Sequence, residues 1–169
     1  MFRMQDSKPI VELIPRLRRY ARALAGDRAG ADDLVQDTLE RAWNKFHLWR
    51  PGSDLRAWLF TVMHNVYVNK IRSARNFVPL DDEADEMSVA GTQGAGIEIR
   101  DLERALALLP PGQREVLLLV ALDDMSYAEV AQVLEIPIGT VMSRLSRARE
   151  KLRLSMHGLP PASKLQVIK

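Results

Sequence analysis

Two long stretches of helical periodicity, separated by a segment without it, most constrain the fold of this chain. Apolar residues recur at intervals of three and four from Val11 to Asn76, and again from Arg100 onwards. Residues 78–97 instead carry five carboxylates within positions 81–86, then three glycines, and no amphipathic face. We therefore predict an all-α fold, with two small helical domains joined by a flexible acidic linker.

Glycine and proline positions divide each block into helices. Breaks around Gly26 and Gly30, and in the loop 47–54, predict three main helices in the first block. Breaks at Pro110 and in the turn 135–138 predict four shorter helices in the second. The predicted organisation is a domain at residues 9–77, a linker at 78–97, a domain at 98–155 and a mobile tail at 156–169.

Composition restricts the functional classes. With no cysteine, the chain has neither disulfides nor thiolate zinc sites, which agrees with a reducing compartment. His47, His64 and His157 show no metal-ligand spacing, and no paired acid and base or phosphate loop is present. We predict no catalytic residue, no metal site and no cofactor. No run approaches the roughly 18 apolar residues of a membrane span, so we expect a cytoplasmic protein without membrane insertion.

A helix-turn-helix is predicted in the second block. Ser126 precedes a short apolar run, with Glu129 three positions later, which is the spacing of a capping box at a helix start. That helix should end near Leu134. Pro137 can open the next helix, because its missing N–H would be unpaired there anyway. Two helices separated by about four residues make the helix-turn-helix arrangement.

The second of these helices has a wide polar face. Val141, Leu145, Ala148 and Leu152 project to one side, which predicts that they are core. The opposite side carries hydroxyls and arginines, which suit contact with phosphates and guanines. Five basic residues against one acid between positions 144 and 153 favour DNA binding. The alternative is an ordinary solvated face, because basic residues also complement a helix C-terminus.

The first block separates acidic from basic residues. Its second predicted helix carries Asp32, Asp33, Asp37 and Glu40, which could bind a basic partner. Its third predicted helix mixes basic and aromatic residues, as in surfaces that bind single-stranded nucleic acid by stacking. The alternative is that the aromatic and apolar residues are simple core; that interpretation covers Trp43, Trp58, Leu59 and Val62.

Three long motifs occur in order: "ADDLVQDTLERAW", "LRAWLFTVMHNVYVNKIRS" and "LERALALLPPGQREVLLLVALDDMSYAEVAQVLEIPIGTVMSRLSRAREKL". Together they resemble the successive regions of an extracytoplasmic-function (group IV) sigma factor of bacterial RNA polymerase. The resemblance extends from about Ile10 to Leu154. It implies a sigma region 2 domain followed by a sigma region 4 domain, without the third region of housekeeping sigma factors.

The resemblance also implies roles for individual residues. The helix that faces the coiled coil of the largest polymerase subunit would use Asp33, Gln36, Asp37 and Glu40. The residues that capture and melt the minus-10 element would be Trp58, Phe60, Asn65, Lys70 and Arg72. The loop "HLWRPGSD" would hold a base flipped from the duplex. The minus-35 element would be contacted by Thr140, Ser143, Arg144, Arg147 and Arg149.

The predicted partners are core RNA polymerase, double-stranded minus-35 DNA, single-stranded minus-10 DNA and an anti-sigma factor. The protein would open promoters by binding the unpaired strand more tightly than the duplex. We also hypothesise that the acidic residues 81–86 screen basic surfaces in the free protein. One alternative is a sigma mimic that sequesters an anti-sigma factor, whose signatures would be a degraded recognition helix and an attached receiver domain. The other is a repressor that uses the second block alone.

Overall fold

Seven α-helices and one short 3-10 helix form the fold that the computed structural model describes, which covers residues 4–77 and 97–157. Within those residues there is no strand, which confirms the all-α prediction. Residues 78–96 of the predicted linker, including the acidic residues 81–86, and residues 158–169 of the predicted tail lie outside the described residues. The helices are α1 (Met4–Ala25), α2 (Arg28–Lys45), α3 (Leu55–Phe77), α4 (Ile97–Ala107), α5 (Pro111–Asp123), α6 (Tyr127–Leu134) and α7 (Ile138–Met156), and the 3-10 helix Phe46–Leu48 follows α2.

The turn between α1 and α2 is set by one glycine and one aspartate. Gly26 has a φ of +79°, a conformation that ends a helix without the steric cost of a Cβ atom. Asp27 then caps α2 by accepting a hydrogen bond from the Gly30 backbone N–H. A Cβ atom on Gly30 would lie only 2.8 Å from Asp27 Oδ1. The predicted break at Gly30 is therefore wrong: this glycine lies inside α2, where it makes room for the cap.

The three helices of the first block pack around a shared core. Leu17, Tyr20 and Leu24 of α1 are buried against Leu34 of α2 and Phe60 of α3. The Tyr20 and Phe60 rings meet edge to face, with centroids 5.2 Å apart. Burial raises the pKa of the Tyr20 phenol well above its ordinary value. These contacts fix α2 and α3 side by side.

The second block contains the predicted helix-turn-helix. Ser126 and Glu129 form a complete capping box at the start of α6: Glu129 N–H donates to Ser126 Oγ, and Ser126 N–H donates to a Glu129 carboxylate oxygen. Glu135, with a φ of +54°, ends α6 in the left-handed conformation. Pro137 is the N-cap of α7, one position before the helix that it was predicted to open. Val141, Leu145 and Ala148 are buried, as predicted.

The two blocks pack directly against each other and share one continuous apolar core. Arg114 of α5 lies at this junction, where its buried guanidinium donates to three carbonyl oxygens of its own block and to the Leu24 carbonyl oxygen of α1, 2.9 Å away. A buried arginine is tolerated here because its guanidinium makes four hydrogen bonds to carbonyl oxygens. The described structure is therefore a closed arrangement of the two blocks.

Candidate nucleic-acid and partner interfaces

The acidic residues of α2 lie on the side of the helix that faces away from the core. The buried side of α2 consists of Ala31, Leu34, Val35, Thr38 and Ala42. Asp33, Gln36 and Glu40 are exposed on the other side, and Asp37 is partly exposed. The helical repeat places these four side chains on one surface, which is available to a partner. We call this surface, residues 33, 36, 37 and 40, the acidic face of α2.

Trp43 extends the acidic face of α2, although the alternative interpretation of the sequence places it in the core. Its side chain is 48% exposed. It follows Gln36 and Glu40 at positions i+7 and i+3, so it lies on the same stripe of the helix. That spacing was the signal in the sequence that could have identified it. An exposed tryptophan beside carboxylates is typical of binding surfaces.

Lys70 of α3 joins the acidic face of α2 to the surface predicted to capture DNA. Its ammonium group pairs with Asp33 and with Asp37, the latter at 2.6 Å. The hydrogen bonds that Lys70 donates to Asp33 and Asp37 raise the pKa of its ammonium group. Beside the pair, α2 and α3 border an open groove of about 560 Å³ whose lining includes Asn44 and Asn69. A residue predicted to bind DNA is thus paired with residues predicted to bind polymerase.

The predicted minus-10 residues divide into exposed and buried groups. Trp58, Asn65 and Arg72 follow one another at seven-residue spacing, so they lie on one stripe of α3. Asn65 and Arg72 are exposed and Trp58 is partly exposed. Phe60, by contrast, is only 2% exposed and packs on Tyr20. Its ring presents no face to a base in this arrangement, because α1 covers it.

The loop between α2 and α3 is organised by aromatic packing. The rings of Phe46 and Trp49 stack with centroids 5.3 Å apart, and Trp58 meets Phe46 edge to face at 6.2 Å. Gly52 takes a φ of +90°, which turns the chain. At the end of the loop, Asp54 accepts a hydrogen bond from the Ala57 N–H and so caps α3. The loop is therefore a fixed structure beside Trp58.

The predicted minus-35 residues are spread around the outer half of α7. Ser143 and Arg147 lie at the centre of the exposed surface, opposite the buried Val141 and Leu145. Ser143 Oγ donates to the Thr140 carbonyl oxygen at 3.1 Å.

Two of the predicted minus-35 arginines lie on the flanks of α7. Arg144 is partly buried over Gly112 of α5, where a Cβ atom would lie 2.9 Å from the Arg144 Nη1 atom. Arg149 is exposed on the opposite flank, beside Met142 and Arg153. Of the five predicted minus-35 residues, only Ser143 and Arg147 therefore lie at the exposed centre of α7.

Polar contacts across the junction of the two blocks were not predicted from the sequence. Arg19 donates to the Leu122 carbonyl oxygen at 2.6 Å, and His64 Nδ1 lies 2.7 Å from Glu115 Oε1. Arg56 donates to the Asp123 carbonyl oxygen at 2.9 Å. In each case the first block supplies the nitrogen and the second block supplies the oxygen. Arg19 of α1 and Arg56 at the start of α3 thus contact the C-terminal end of α5, and His64 joins the middle of α3 to the N-terminal part of α5.

Asp123 is the one buried carboxylate at this junction whose two oxygen atoms have no hydrogen-bond partner among the described residues. Its nearest cation is Arg19, whose Nη2 atom lies 4.0 Å away. Burial raises the pKa of this carboxyl to about 6, against the opposing effect of Arg19, Arg16 and Arg56. The closed arrangement therefore places an acid in surroundings that disfavour its charged form.

Within residues 4–77 and 97–157, no group of three histidine, cysteine, aspartate or glutamate side chains is placed to hold a metal ion. None of the helices in these ranges has the length and apolar character needed to cross a membrane.

Each block matches a different sequence family. Residues 10–64 match the family described as the Sigma2 domain of PhyR, and residues 99–152 match Sigma-70, region 4. Relatives that match most of the chain are also sigma factors. ECF RNA polymerase sigma factor EcfG of Rhodopseudomonas palustris is 39% identical over 145 residues, which cover 85% of this chain and 80% of the relative. ECF RNA polymerase sigma factor SigL of Mycobacterium tuberculosis is 38% identical over 148 residues, covering 85% and 84%.

Two solved structures are similar over both blocks. The sigma factor RpoE of Bartonella quintana, in complex with the anti-sigma factor NepR, gives a TM-score of 0.73 at 31% identity, covering 90% of this chain and 97% of that one. CnrH, in complex with the cytosolic domain of CnrY, gives a TM-score of 0.67 at 29% identity, covering 90% and 87%. Coverage of this extent includes both blocks of the chain.

Proposed function

The chain belongs to the ECF family of RNA polymerase sigma factors, and we propose that it is a group IV member whose two blocks bind different parts of the transcription machinery. As a sigma factor it binds core RNA polymerase and directs promoter-specific initiation. The observation that carries the assignment to residues is the position of the two exposed surfaces. The acidic face of α2 and the Ser143–Arg147 surface of α7 lie on different blocks, and each block matches a different sigma region.

In this proposal the acidic face of α2 binds the polymerase. Its carboxylates are accessible and would pair with basic residues of the largest subunit, while Trp43 supplies apolar contact area. Charge pairs at the rim of an interface mainly set the association rate, and a desolvated aromatic residue contributes more to affinity. The proposed binding residues are Asp33, Gln36, Asp37, Glu40 and Trp43.

The stripe on α3 captures the minus-10 strand. Trp58 can stack on an unpaired base, Asn65 can hydrogen-bond to a base edge, and Arg72 can bind phosphate. Lys70 joins them once it leaves its carboxylate partners. Phe60 supports this surface from within the core, because its ring holds α3 against α1. No covalent chemistry and no cofactor are required, since preferential binding of the unpaired strand shifts the melting equilibrium.

The exposed surface of α7 binds the minus-35 element. Ser143 and Arg147 at its centre are placed to reach base edges in the major groove. Thr140, Arg144 and Arg149 lie around them, where phosphate contacts are expected. Because phosphate contacts release counterions, this part of the affinity should fall steeply with salt concentration.

We also propose that the protein acts in the cytoplasm and is regulated by an anti-sigma factor. The similar structures were solved with NepR and CnrY. A groove of about 550 Å³ between α1 and α4 offers an apolar surface to such a partner, because Ile99 and Leu102 are exposed there beside Arg18 and Arg22. An acidic amphipathic helix would match this combination of apolar and basic residues.

Polymerase binding by charge-matched variants tests the proposal. Asp37→Ala should weaken binding to purified core RNA polymerase by about tenfold, within the range measured for interface charges. Asp32→Ala removes the same charge from the same helix, outside the proposed set, and should leave binding close to wild type. Equal binding by both variants would remove the acidic face of α2 from the polymerase interface.

A sigma mimic that sequesters an anti-sigma factor is the second candidate. The observation in its favour is the match of residues 10–64 to the Sigma2 domain of PhyR. Against it, Ser143 and Arg147 remain exposed on α7, and the second block matches Sigma-70, region 4. A mimic would bind an anti-sigma factor but would support no transcription with core polymerase. A sigma factor would do both.

A further inference from the structure

The guanidinium of Arg56 lies at the junction of the two blocks, next to the surface proposed to capture the minus-10 strand. Arg56 is the second residue of α3, two positions before Trp58 and directly after the aromatic loop. Nη1 donates to the Asp123 carbonyl oxygen at 2.9 Å, and Nη2 lies 3.4 Å from Glu129 Oε1. Both acceptors belong to the second block, and only 22% of the Arg56 side chain remains exposed.

The two partners of Arg56 resemble a phosphate group in the atoms that they present. An arginine fork is satisfied by two oxygen atoms, of which at least one carries charge, and phosphates and carboxylates supply such pairs. Here the oxygens come from a carbonyl at the C-terminal end of α5 and from a carboxylate in the first turn of α6. The carbonyl end of a helix also carries partial negative charge. The second block therefore offers Arg56 the same kind of ligand that a DNA strand offers.

The closed arrangement is incompatible with binding to both promoter elements. The names minus-10 and minus-35 place the two promoter elements about 25 base pairs apart. At about 3.4 Å per base pair, they are roughly 85 Å apart along the duplex. Two blocks in direct contact cannot occupy both places. The 20 residue steps from 77 to 97 can span up to roughly 70 Å, so the chain allows the blocks to separate. When they separate, Arg56 loses both partners and is left beside Trp58.

We propose that Arg56 binds a phosphate of the captured minus-10 strand, and that the second block occupies Arg56 in the closed protein and so competes with the promoter. This inference rests on the sigma-factor function proposed above. It adds a residue to the strand-binding surface and gives the closed arrangement a consequence for regulation. A partner that stabilises the closed arrangement would also keep Arg56 occupied, without contacting it.

Removal of the Glu129 charge tests the competition. In Glu129→Gln the amide can still accept the Ser126 N–H, so the capping box is preserved while the charge at Arg56 is lost. The matched control is Asp124→Asn, because it removes the same charge nearby, from an exposed residue in the left-handed conformation that asparagine tolerates. Thermal unfolding followed by circular dichroism verifies that both variants fold.

The measurement is fluorescence anisotropy of a labelled mixed-sequence single-stranded 12-mer with the free full-length protein at low salt, since phosphate contacts do not depend on sequence. Glu129→Gln should bind the 12-mer about three- to tenfold more tightly than Asp124→Asn, a range that corresponds to one ordinary hydrogen bond, because the Arg56–Glu129 contact is long at 3.4 Å and partly exposed. Adding Arg56→Gln to Glu129→Gln should abolish that gain. Equal affinities for the two single variants would overturn the competition.

Separation of the blocks has its own readout, because the chain has no cysteine and two introduced thiols can be labelled uniquely. With labels at Ala29→Cys and Ser155→Cys, both exposed positions, Glu129→Gln should lower energy transfer relative to Asp124→Asn. Unchanged transfer would contradict the role of Glu129 in closure.

In the holoenzyme, where the blocks are apart, Arg56→Gln should still weaken strand capture. Normal capture by Arg56→Gln would overturn the phosphate contact, whereas normal polymerase binding by Asp37→Ala would instead count against the polymerase surface of the proposed function.

Discussion

The Lys70 ammonium nitrogen on α3 lies 2.6 Å from the Oδ2 atom of Asp37 on α2, so the surface proposed for polymerase and the surface proposed for promoter DNA are joined by an ion pair. Asp33 pairs with the same ammonium group. Polymerase binding to these carboxylates would have to displace Lys70, and displacement would release it towards the DNA strand. The two binding events are therefore expected to favour each other.

Replacement of Lys70 should separate these two events. Lys70→Met frees Asp33 and Asp37, so the affinity for core polymerase should rise by about two- to fivefold, as expected from an exposed ion pair of less than about 1 kcal/mol. Strand capture by the holoenzyme should weaken. Arg72→Met is the matched control, since it removes the same charge from the same helix and should not raise polymerase affinity. Titration of labelled Lys70→Met and Arg72→Met with core polymerase measures the polymerase affinity of each variant. An unchanged affinity for Lys70→Met would contradict the coupling.

The buried carboxyl of Asp123 should make stability depend on pH. Because burial raises its pKa to about 6, the folded protein holds this proton more tightly than the unfolded chain does. The stabilising contribution is present at low pH and is lost as the pH rises through about 6. Asp123→Asn should therefore be more stable than wild type at pH 7.5, by about 1–3 kcal/mol, and the difference should shrink towards zero near pH 4. Urea unfolding at pH 7.5, 6 and 4.5 measures it, and a difference that does not change with pH would contradict the burial of a charge.

The capping box at α6 should contribute to the stability of the second block. Ser126→Ala removes the side-chain acceptor for the Glu129 N–H and should cost about 1 kcal/mol of unfolding free energy. Ser146→Ala makes the same change at an exposed position of α7 and should cost little, because alanine favours a helix interior. Chemical denaturation of the two variants compares these costs. Equal stabilities would mean that α6 does not depend on its cap.

Arg147 and Arg149 should have different effects on promoter binding, because one lies at the exposed centre of α7 and the other on its flank. Arg147→Ala should cost about 1–3 kcal/mol of binding and relax the sequence preference. Arg149→Ala should weaken binding equally on all sequences and reduce the salt dependence by about one counterion. Holoenzyme binding to a promoter duplex and to variants of its upstream element, at several salt concentrations, distinguishes them. Identical profiles would contradict the assignment of Arg147 to base contact.

Much of the fold follows from local sequence signals. Apolar periodicity predicted seven helices in two blocks, and the Ser126 and Glu129 spacing predicted the start of α6. Periodicity alone could not tell which aromatic residue would be covered. Phe60 is buried because α1 packs on that side of α3, whereas the Trp43 side chain of α2 is 48% exposed. Such differences depend on tertiary packing, which the pattern within one helix does not contain.

The polar contacts between the blocks could not be predicted from the sequence. Arg56 meets an acceptor 67 positions away and His64 meets one 51 positions away. Single charged residues have no periodic pattern, so neither partner identifies the other. The approximate positions of the candidate binding residues were predictable because they follow helix faces. Their present partners were not, since Lys70 and Arg56 are occupied by groups from other helices.

Run-off transcription with purified core RNA polymerase on a library of genomic fragments tests the sigma-factor function most directly. We expect wild-type protein to direct initiation from a specific subset of fragments. Arg147→Ala should lose initiation that depends on the upstream element, and Asp37→Ala should lose initiation through weaker association with polymerase. Absence of specific initiation by the wild type would contradict the function itself, and normal transcription by both variants would contradict the surfaces assigned to it.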